Sequence, residues 1–287
     1  RHPQTLFVLC MLADDALRTE LLEAGFLVFP HPERAVAAAA ALRRHAAWQG
    51  GTPAPATLPP ATPLPARLNE HTAARVLAEA GVPMAPARVA ASAEAAVAAA
   101  DALGYPVAVK LLSSDITHKS DIGAVRLGLA DGAAVRAAFA AVTDAAARHA
   151  PDAGVDGVLV SPMAPDGVET IIGVNTDPVF GPVVMFGLGG VAVELYRDVA
   201  FRLAPVDAEA ARGMLAETQA SALLRGHRGA PVADEAVLID AIVALSRFAV
   251  ANADAIGSID VNPFRVFEHG GYGLDAVIVP AGRRATP

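Results

Sequence analysis

Residues 104–126 read GYPVAVKLLSSDITHKSDIGAVR, and the fold turns on how the lysine in this stretch is explained. Residues 106–112 are apolar apart from Lys110, the pattern of a buried strand. An ammonium taken out of water needs a partner, because desolvating an unpaired charge is strongly unfavourable. The residues that follow, 113–123, are almost all polar and hold serines, two aspartates, a threonine, a histidine and a second lysine. Two readings stay open on these residues alone. Lys110 is either an edge-strand lysine whose head reaches water along its apolar stem, or an ammonium that meets an anion, as in a nucleotide triphosphate site.

Working outward, Ser92 is placed to cap a helix over 93–103, and 124–129 reads as a second strand. A helix over 131–149 presents Val135, Phe139 and Val142 on one face. Upstream, Asn69 caps a helix that runs to about residue 80, where Gly81 and Pro83 end it, and 82–89 is extended. Downstream, 157–163 is a buried strand, and 169–175 and 183–186 flank the turn TDPVFGP as a hairpin. Helices are expected over 207–222 and 232–252, then strands over 256–261, 264–268 and 272–279. Helices and antiparallel hairpins alternate, so the reading is two mixed α+β lobes with a cleft between them.

Residues 50–65, GGTPAPATLPPATPLP, hold six prolines and no apolar period, which marks an extended linker. Before it, strands at 5–10 and 26–29 alternate with helices at 13–24 and 32–45, the order of a parallel α/β unit too short to be a whole domain. The 287 residues suffice for two domains, and 54% apolar against 18% charged residues indicates a globular chain. A net charge of -8 argues against nucleic acid as the main partner but leaves room for a local basic nucleotide pocket. The single cysteine, Cys10, excludes an internal disulfide and fits a reducing, cytoplasmic setting. No apolar run reaches the roughly 18 residues of a membrane span. A first residue other than methionine fits a fragment or a processed chain.

Three further stretches bear on chemistry. In GSIDVNPFRVFEHGGYGLDAVIV, residues 257–279, Asp260 and Asn262 share one face of a strand, and a turn centred on 268–269 sets Asn262 opposite Asp275. Oxygen side chains gathered this way suit magnesium, which takes one or two carboxylates and completes its shell with phosphates and waters. A solvent-facing polar side of the hairpin explains the same pattern. In FGPVVMFGLGGVAVEL, residues 180–195, Gly187, Gly189 and Gly190 follow an apolar strand, either to let backbone N–H groups approach an anion or simply to turn the chain. His118 is either a solvated loop histidine or a nucleophile that accepts a phosphoryl group. No histidine pair has metal-ligand spacing on a helix, which argues against zinc.

These segments resemble, in order, the ATP-grasp domain of the NDP-forming acyl-CoA synthetases, the ADP-forming acetyl-CoA synthetase type, which belong with the succinyl-CoA ligases. The resemblance is carried by GYPVAVKLLSSDITHKSDIGAVRL, by residues 157–195, by RGHRGAP, and by IDVNPF with LDA. Residues 5–48 resemble, more weakly, the end of the family's flavodoxin-like CoA-ligase domain. The resemblance implies a domain remnant at 1–49, a linker at 50–66 and an ATP-grasp domain at 67–287 that binds ATP or ADP with Mg2+. Lys110 then holds phosphates; Val160, Ser161 and Met163 lie in the segment that reads adenine. Glu169 lines the pocket, Gly189 and Gly190 approach the nucleotide, and Asn262 and Asp275 ligate magnesium. His118 corresponds to a second phosphoryl carrier, so that the chemistry couples nucleotide–histidine transfer to acyl-CoA thioester formation or cleavage. CoA-binding and phosphohistidine domains, in cis or as a second subunit, would complete the reaction. The alternative is a non-catalytic nucleotide-sensing module, as in lysine acetyltransferase fusions. Two departures stand out: Ala124 follows Gly123 where the family has a second glycine, and Ser258 replaces a glutamate.

Overall fold

The structure is a computed structural model that describes residues 5–48, 58–116, 119, 122–189 and 198–282. The chain divides into two compact units, residues 1–57 and 58–287. In the first, strand β1 (Val8–Cys10) pairs in parallel with β2 (Leu27–Phe29), and helices α1 (Asp15–Glu23) and α2 (Pro32–Trp48) follow the strands in turn. Asp14 caps α1 by accepting from the Leu17 N–H at 2.9 Å. Two strands cannot bury the apolar side chains this unit carries, and Leu12 remains 86% and Val36 68% exposed.

The second unit holds two antiparallel sheets. The smaller has the order β3 (Arg88–Ala90), β6 (Val155–Pro162), β4 (Val107–Ser113), β5 (Val125–Leu129). Helices α4 (Ala93–Leu103) and α5 (Gly132–His149) pack on one face, where Val107, Val109, Leu111, Val135, Val142 and Val160 form a core. Strand alternation turns Lys110 to the other face. Ser92 caps the first of these helices as the sequence indicates, and Asp131 caps the second.

The larger sheet runs β11 (Gly271–Gly273), β10 (Ile256–Val266), β7 (Val168–Asp177), β8 (Gly181–Leu188), β9 (Val199–Leu203), and β12 (Ala276–Pro280) also pairs with β10. One face is buried under α3 (Glu70–Glu79), α6 (Ala208–Ala216), α7 (Ala220–Leu224) and α8 (Glu235–Ala251), with Leu77, Phe186, Leu238, Ile242, Leu245 and Phe264 fully enclosed. The start of α3 is fixed by a reciprocal capping box. Asn69 accepts from the Thr72 N–H at 3.0 Å, and the Thr72 hydroxyl accepts from the Asn69 N–H at 2.9 Å.

Three sequence expectations change and one strand is new. The helix expected over 207–222 breaks after Ala216, because the Gln219 N–H donates to Asp198 at 2.6 Å and so opens a new turn at α7. The strands expected at 256–261 and 264–268 are one strand, β10, with a register shift between Val261 and Phe264. The strand expected at 272–279 is two, divided at Leu274 and Asp275. Strand β9, which the sequence reading passed over, closes the sheet edge beside β8. The division at Leu274 has a chemical cause. Its N–H donates to the Pro263 carbonyl at 2.9 Å, but a proline has no N–H to return the bond. The Leu274 carbonyl is thereby left for another donor.

Candidate active site

That donor is Lys110. From the centre of β4 its Nζ donates to the Leu274 carbonyl at 2.8 Å and to Glu70 Oε1 at 2.9 Å, and lies 3.7 Å from Asp275 Oδ2. A small-sheet lysine thus meets three groups of the large-sheet lobe: the helix carboxylate of α3, and a carbonyl and a carboxylate between β11 and β12. Burial would push the Lys110 pKa down, but the charges of Glu70 and Asp275 outweigh it, so it stands above the ordinary lysine value. Glu70 carries a second ammonium, that of Lys119, in a close ion pair. Burial pushes the Glu70 carboxyl up, yet the two lysines hold it below its ordinary value.

The hairpin places the oxygen side chains as its spacing indicates. Val261 pairs with Ala276 and Phe264 with Gly273, so the same register on both sides sets Asn262 across from Asp275. Asp260 lies on that face, paired across β10 with Gly173 and Val277. Burial and then the like charge of Glu70 raise the Asp275 pKa, and Asp275 Oδ1 is buried with no hydrogen-bond partner. Burial and then Asp275 push the Asp260 carboxyl up to about 6. Its surface stays open to solvent, and water moderates that push. An orphaned carboxylate oxygen, a neighbouring carboxylate that resists ionising and an amide oxygen are a donor set that a divalent cation would satisfy. Among the described residues no group of three His, Cys, Asp and Glu gathers as a protein cage. The set therefore suits a hard cation that keeps waters and phosphates as its remaining ligands.

The sign of the Asp260 shift gives a test. Its pKa rises from 3.8 to about 6 on folding, so the folded state holds the proton more tightly. The resulting penalty is absent below the unfolded value, grows between the two values and is complete above the folded one. Without added metal, Asp260→Asn should be more stable than the wild type above pH 6, with the difference shrinking toward pH 4. Thermal melts across that range check it, and parallel profiles for the two proteins would contradict it.

The other sequence candidates fall at distinct places. Val160 is buried in the small-sheet core and its backbone pairs with Arg88 and Val109. Ser161 lines a cavity of about 170 Å3 together with Leu159, Glu70, His71, Leu274 and Asp275. Met163 donates its N–H to Pro106 at 3.0 Å and accepts the Gly128 N–H on its sulfur at 3.3 Å. Glu169 pairs with Arg265, its direct cross-strand neighbour, whose guanidinium also donates to the Pro165 carbonyl at 3.2 Å. Arg265 Nε is buried without a partner. Gly189 is explained by packing, since a Cβ there would stand 2.6 Å from the Thr170 carbonyl. The Ala124 methyl sits in the small-sheet core. His118 and Gly190 lie outside the described residues. Sequence reasoning missed Glu70, Lys119 as its partner, and Arg265. The available signal for Glu70 was its phase: with Ala73 and Leu77 it occupies the buried stripe of α3, where a carboxylate needs a cation.

A strand lysine facing a carboxylate and a carbonyl of a second antiparallel sheet, within one compact unit, defines a two-lobed arrangement with a charged seam between the lobes. The chain belongs to the ATP-grasp domain family, which residues 65–279 match. Within it the chain is similar to the ATP-grasp part of the ADP-forming acetate–CoA ligases. It is 38% identical over 212 residues to the β subunit of acetate–CoA ligase (ADP-forming) II of Pyrococcus furiosus, covering 74% of this chain and 89% of that subunit. It is 38% identical over 195 residues to acetate–CoA ligase (ADP-forming) I of Archaeoglobus fulgidus, covering 68% of this chain but 28% of that enzyme. The chain therefore spans less than a third of the longer relative. The acetyl-coenzyme A synthetase 1 of Ca. Korarchaeum cryptofilum, solved with coenzyme A, Ca-AMPCP and HgCl+, superposes with a TM-score of 0.71 at 42% identity. That match covers 74% of this chain and 93% of the other.

Proposed function

We propose that this chain binds ATP or ADP with Mg2+ between its two sheets and moves a phosphoryl group between nucleotide and histidine, within an acyl-CoA synthetase that makes or cleaves a thioester. The observation that carries the reading is Lys110 of the small sheet standing 3.7 Å from Asp275, whose other oxygen has no partner. Lys110 meets the phosphates. Asn262 and Asp275 hold the cation, which supplies charge neutralisation on the phosphate oxygens. Val160, Ser161 and Met163 lie in the segment that borders the base, and Glu169, held by Arg265, lines the pocket. Catalysis in such a site is positioning and charge stabilisation rather than covalent chemistry by the lysine. The role of His118 as phosphoryl acceptor rests on its place in the THKSD segment. As the P–N bond to the imidazole forms, the bond from phosphorus to the nucleotide's bridging oxygen breaks.

Residues 1–49 would be the end of a CoA-ligase domain and 50–66 a linker to the ATP-grasp domain, 67–287. CoA-binding and phosphohistidine domains, in cis or as a second subunit, complete the enzyme. Among the described residues no helix is long and apolar enough to cross a membrane. The relatives are ligases, which leaves the nucleotide-sensing alternative without support. The cavity of about 170 Å3 admits only part of a nucleotide, since ligand pockets run to roughly 300–1,000 Å3. Binding therefore has to widen this cavity. Calorimetric titration with ADP should show saturable binding that strengthens at least tenfold with Mg2+. No heat with either nucleotide in the presence of Mg2+ would overturn the reading.

A further inference from the structure

We propose that Glu70 is the positioning residue of the phosphate grip, holding the ammonium groups of Lys110 and Lys119 side by side so that both cations face the phosphate chain. This rests on the nucleotide reading above and adds to it a second cation and the group that aims the pair.

Glu70 belongs to the large lobe, because α3 packs through Ala73, Val76 and Leu77 into that core. Both lysines belong to the other lobe: Lys110 sits in β4, and Lys119 in the loop that leaves it. Each ammonium takes a different oxygen of the one carboxylate, Oε1 for Lys110 and Oε2 for Lys119. The Glu70 side chain is 3% exposed and that of Lys119 8%, so water does not loosen the arrangement. The start of α3 is pinned twice over. The capping box fixes its first turn, and Asn69 Nδ2 donates to Asp156 of β6 at 3.0 Å. A carboxylate on so rigid a mount holds its partners in one geometry.

Stability alone does not account for the cluster. Burying three charged groups exacts desolvation from each, and well-packed apolar side chains of similar volume are commonly at least as stable. Two ammonium groups on one carboxylate leave one positive charge, which Asp275 balances from 3.7 Å until a cation takes that carboxylate. That surplus is what a phosphate chain requires. Protein kinases use a related device, in which a helix glutamate holds a strand lysine that meets the phosphates.

Electrostatics and positioning predict opposite signs, which makes the inference testable. By charge alone, removing the carboxylate makes the site more positive and tightens anion binding. By positioning, the lysines lose their aim and phosphate binding weakens. The experiment titrates this chain and its Glu70→Gln, Glu70→Asp and Lys119→Met variants with Mg-ADP, AMP and adenosine, with thermal melts alongside. Glu70→Gln should weaken Mg-ADP about tenfold or more, the loss of roughly one charge-assisted hydrogen bond, and leave adenosine within about twofold. Lys119→Met should give the same phosphate-selective loss, a double variant combining Glu70→Gln with Lys119→Met should be little worse than either single one, and Glu70→Asp should restore part of the affinity. If Glu70→Gln does not fold, Glu70→Asp and Lys119→Met carry the test through the same split between ADP and adenosine. Tighter or unchanged ADP binding in a folded Glu70 variant overturns the proposal, and so does an equal loss for ADP and adenosine. A wild type that binds no Mg-ADP overturns the nucleotide reading itself.

Discussion

Lys110→Met should lower the affinity for Mg-ADP by on the order of 100-fold, which corresponds to about 2.7 kcal/mol or one to two charge-assisted hydrogen bonds to phosphate. Methionine keeps most of the apolar stem that crosses the small sheet and removes only the charge. The variant also removes the donor from the Leu274 carbonyl, which Pro263 cannot satisfy. The Leu274 carbonyl is half-buried and borders the cavity, where water can replace the ammonium, so the melting temperature should fall only slightly. Glu70 keeps its charge balanced through Lys119, and the fold should survive. Two readouts separate grip from stability. Adenosine binding should change little, because the base and sugar do not touch the ammonium. The lobes should also loosen, seen as faster amide exchange at Leu274 and Asp275 in the absence of nucleotide. A folded Lys110→Met protein with wild-type ADP affinity would contradict the phosphate role.

How much of this was legible beforehand depended on the distance over which each partner acts. Lys110 announced itself because an ammonium inside VAVKLL conflicts with its neighbours. Asn262 and Asp275 could be paired because a hairpin converts turn position into register, and both flanks of the observed ladder keep that register. Glu70 escaped notice because a glutamate in the first turn of a helix is already explained by the helix dipole. Only tertiary packing, across 40 residues of sequence, gives it two lysines. The opening between β11 and β12 was encoded in Pro263 and could have been inferred from the missing N–H. The break between α6 and α7 could not, because the carboxylate that causes it belongs to Asp198, 21 residues away. Glycines were ambiguous for the opposite reason. Gly187 and Gly189 suggested an anion site, but close strand packing accounts for both, with a Cβ at either one meeting a backbone carbonyl at 2.6 Å.

Asp275→Asn should abolish the dependence of nucleotide binding on Mg2+ and bring affinity with the cation down to the cation-free level. The loss should equal the enhancement that Mg2+ gives the wild type, at least about tenfold, since even removal of outer-sphere partners lowers metal affinity by roughly 10–100-fold. The same substitution should not weaken the fold. Burial and the nearby Glu70 charge raise the Asp275 pKa, so above that value the ionised form opposes folding. The Lys110 charge offsets this from 3.7 Å without making a close hydrogen bond. An amide of the same shape removes the repulsion from Glu70 and Asp260, keeps one oxygen in place and replaces the other with an N–H donor. Without cation, Asp275→Asn should therefore melt at or above the wild-type temperature at pH 7.5, while lacking the Mg2+-dependent rise in melting temperature expected of the wild type with ADP. This combination distinguishes a ligand from a structural carboxylate. A structural carboxylate would give a lower melting temperature with the Mg2+ effect intact, and that result would sink the assignment of Asp275 to the cation.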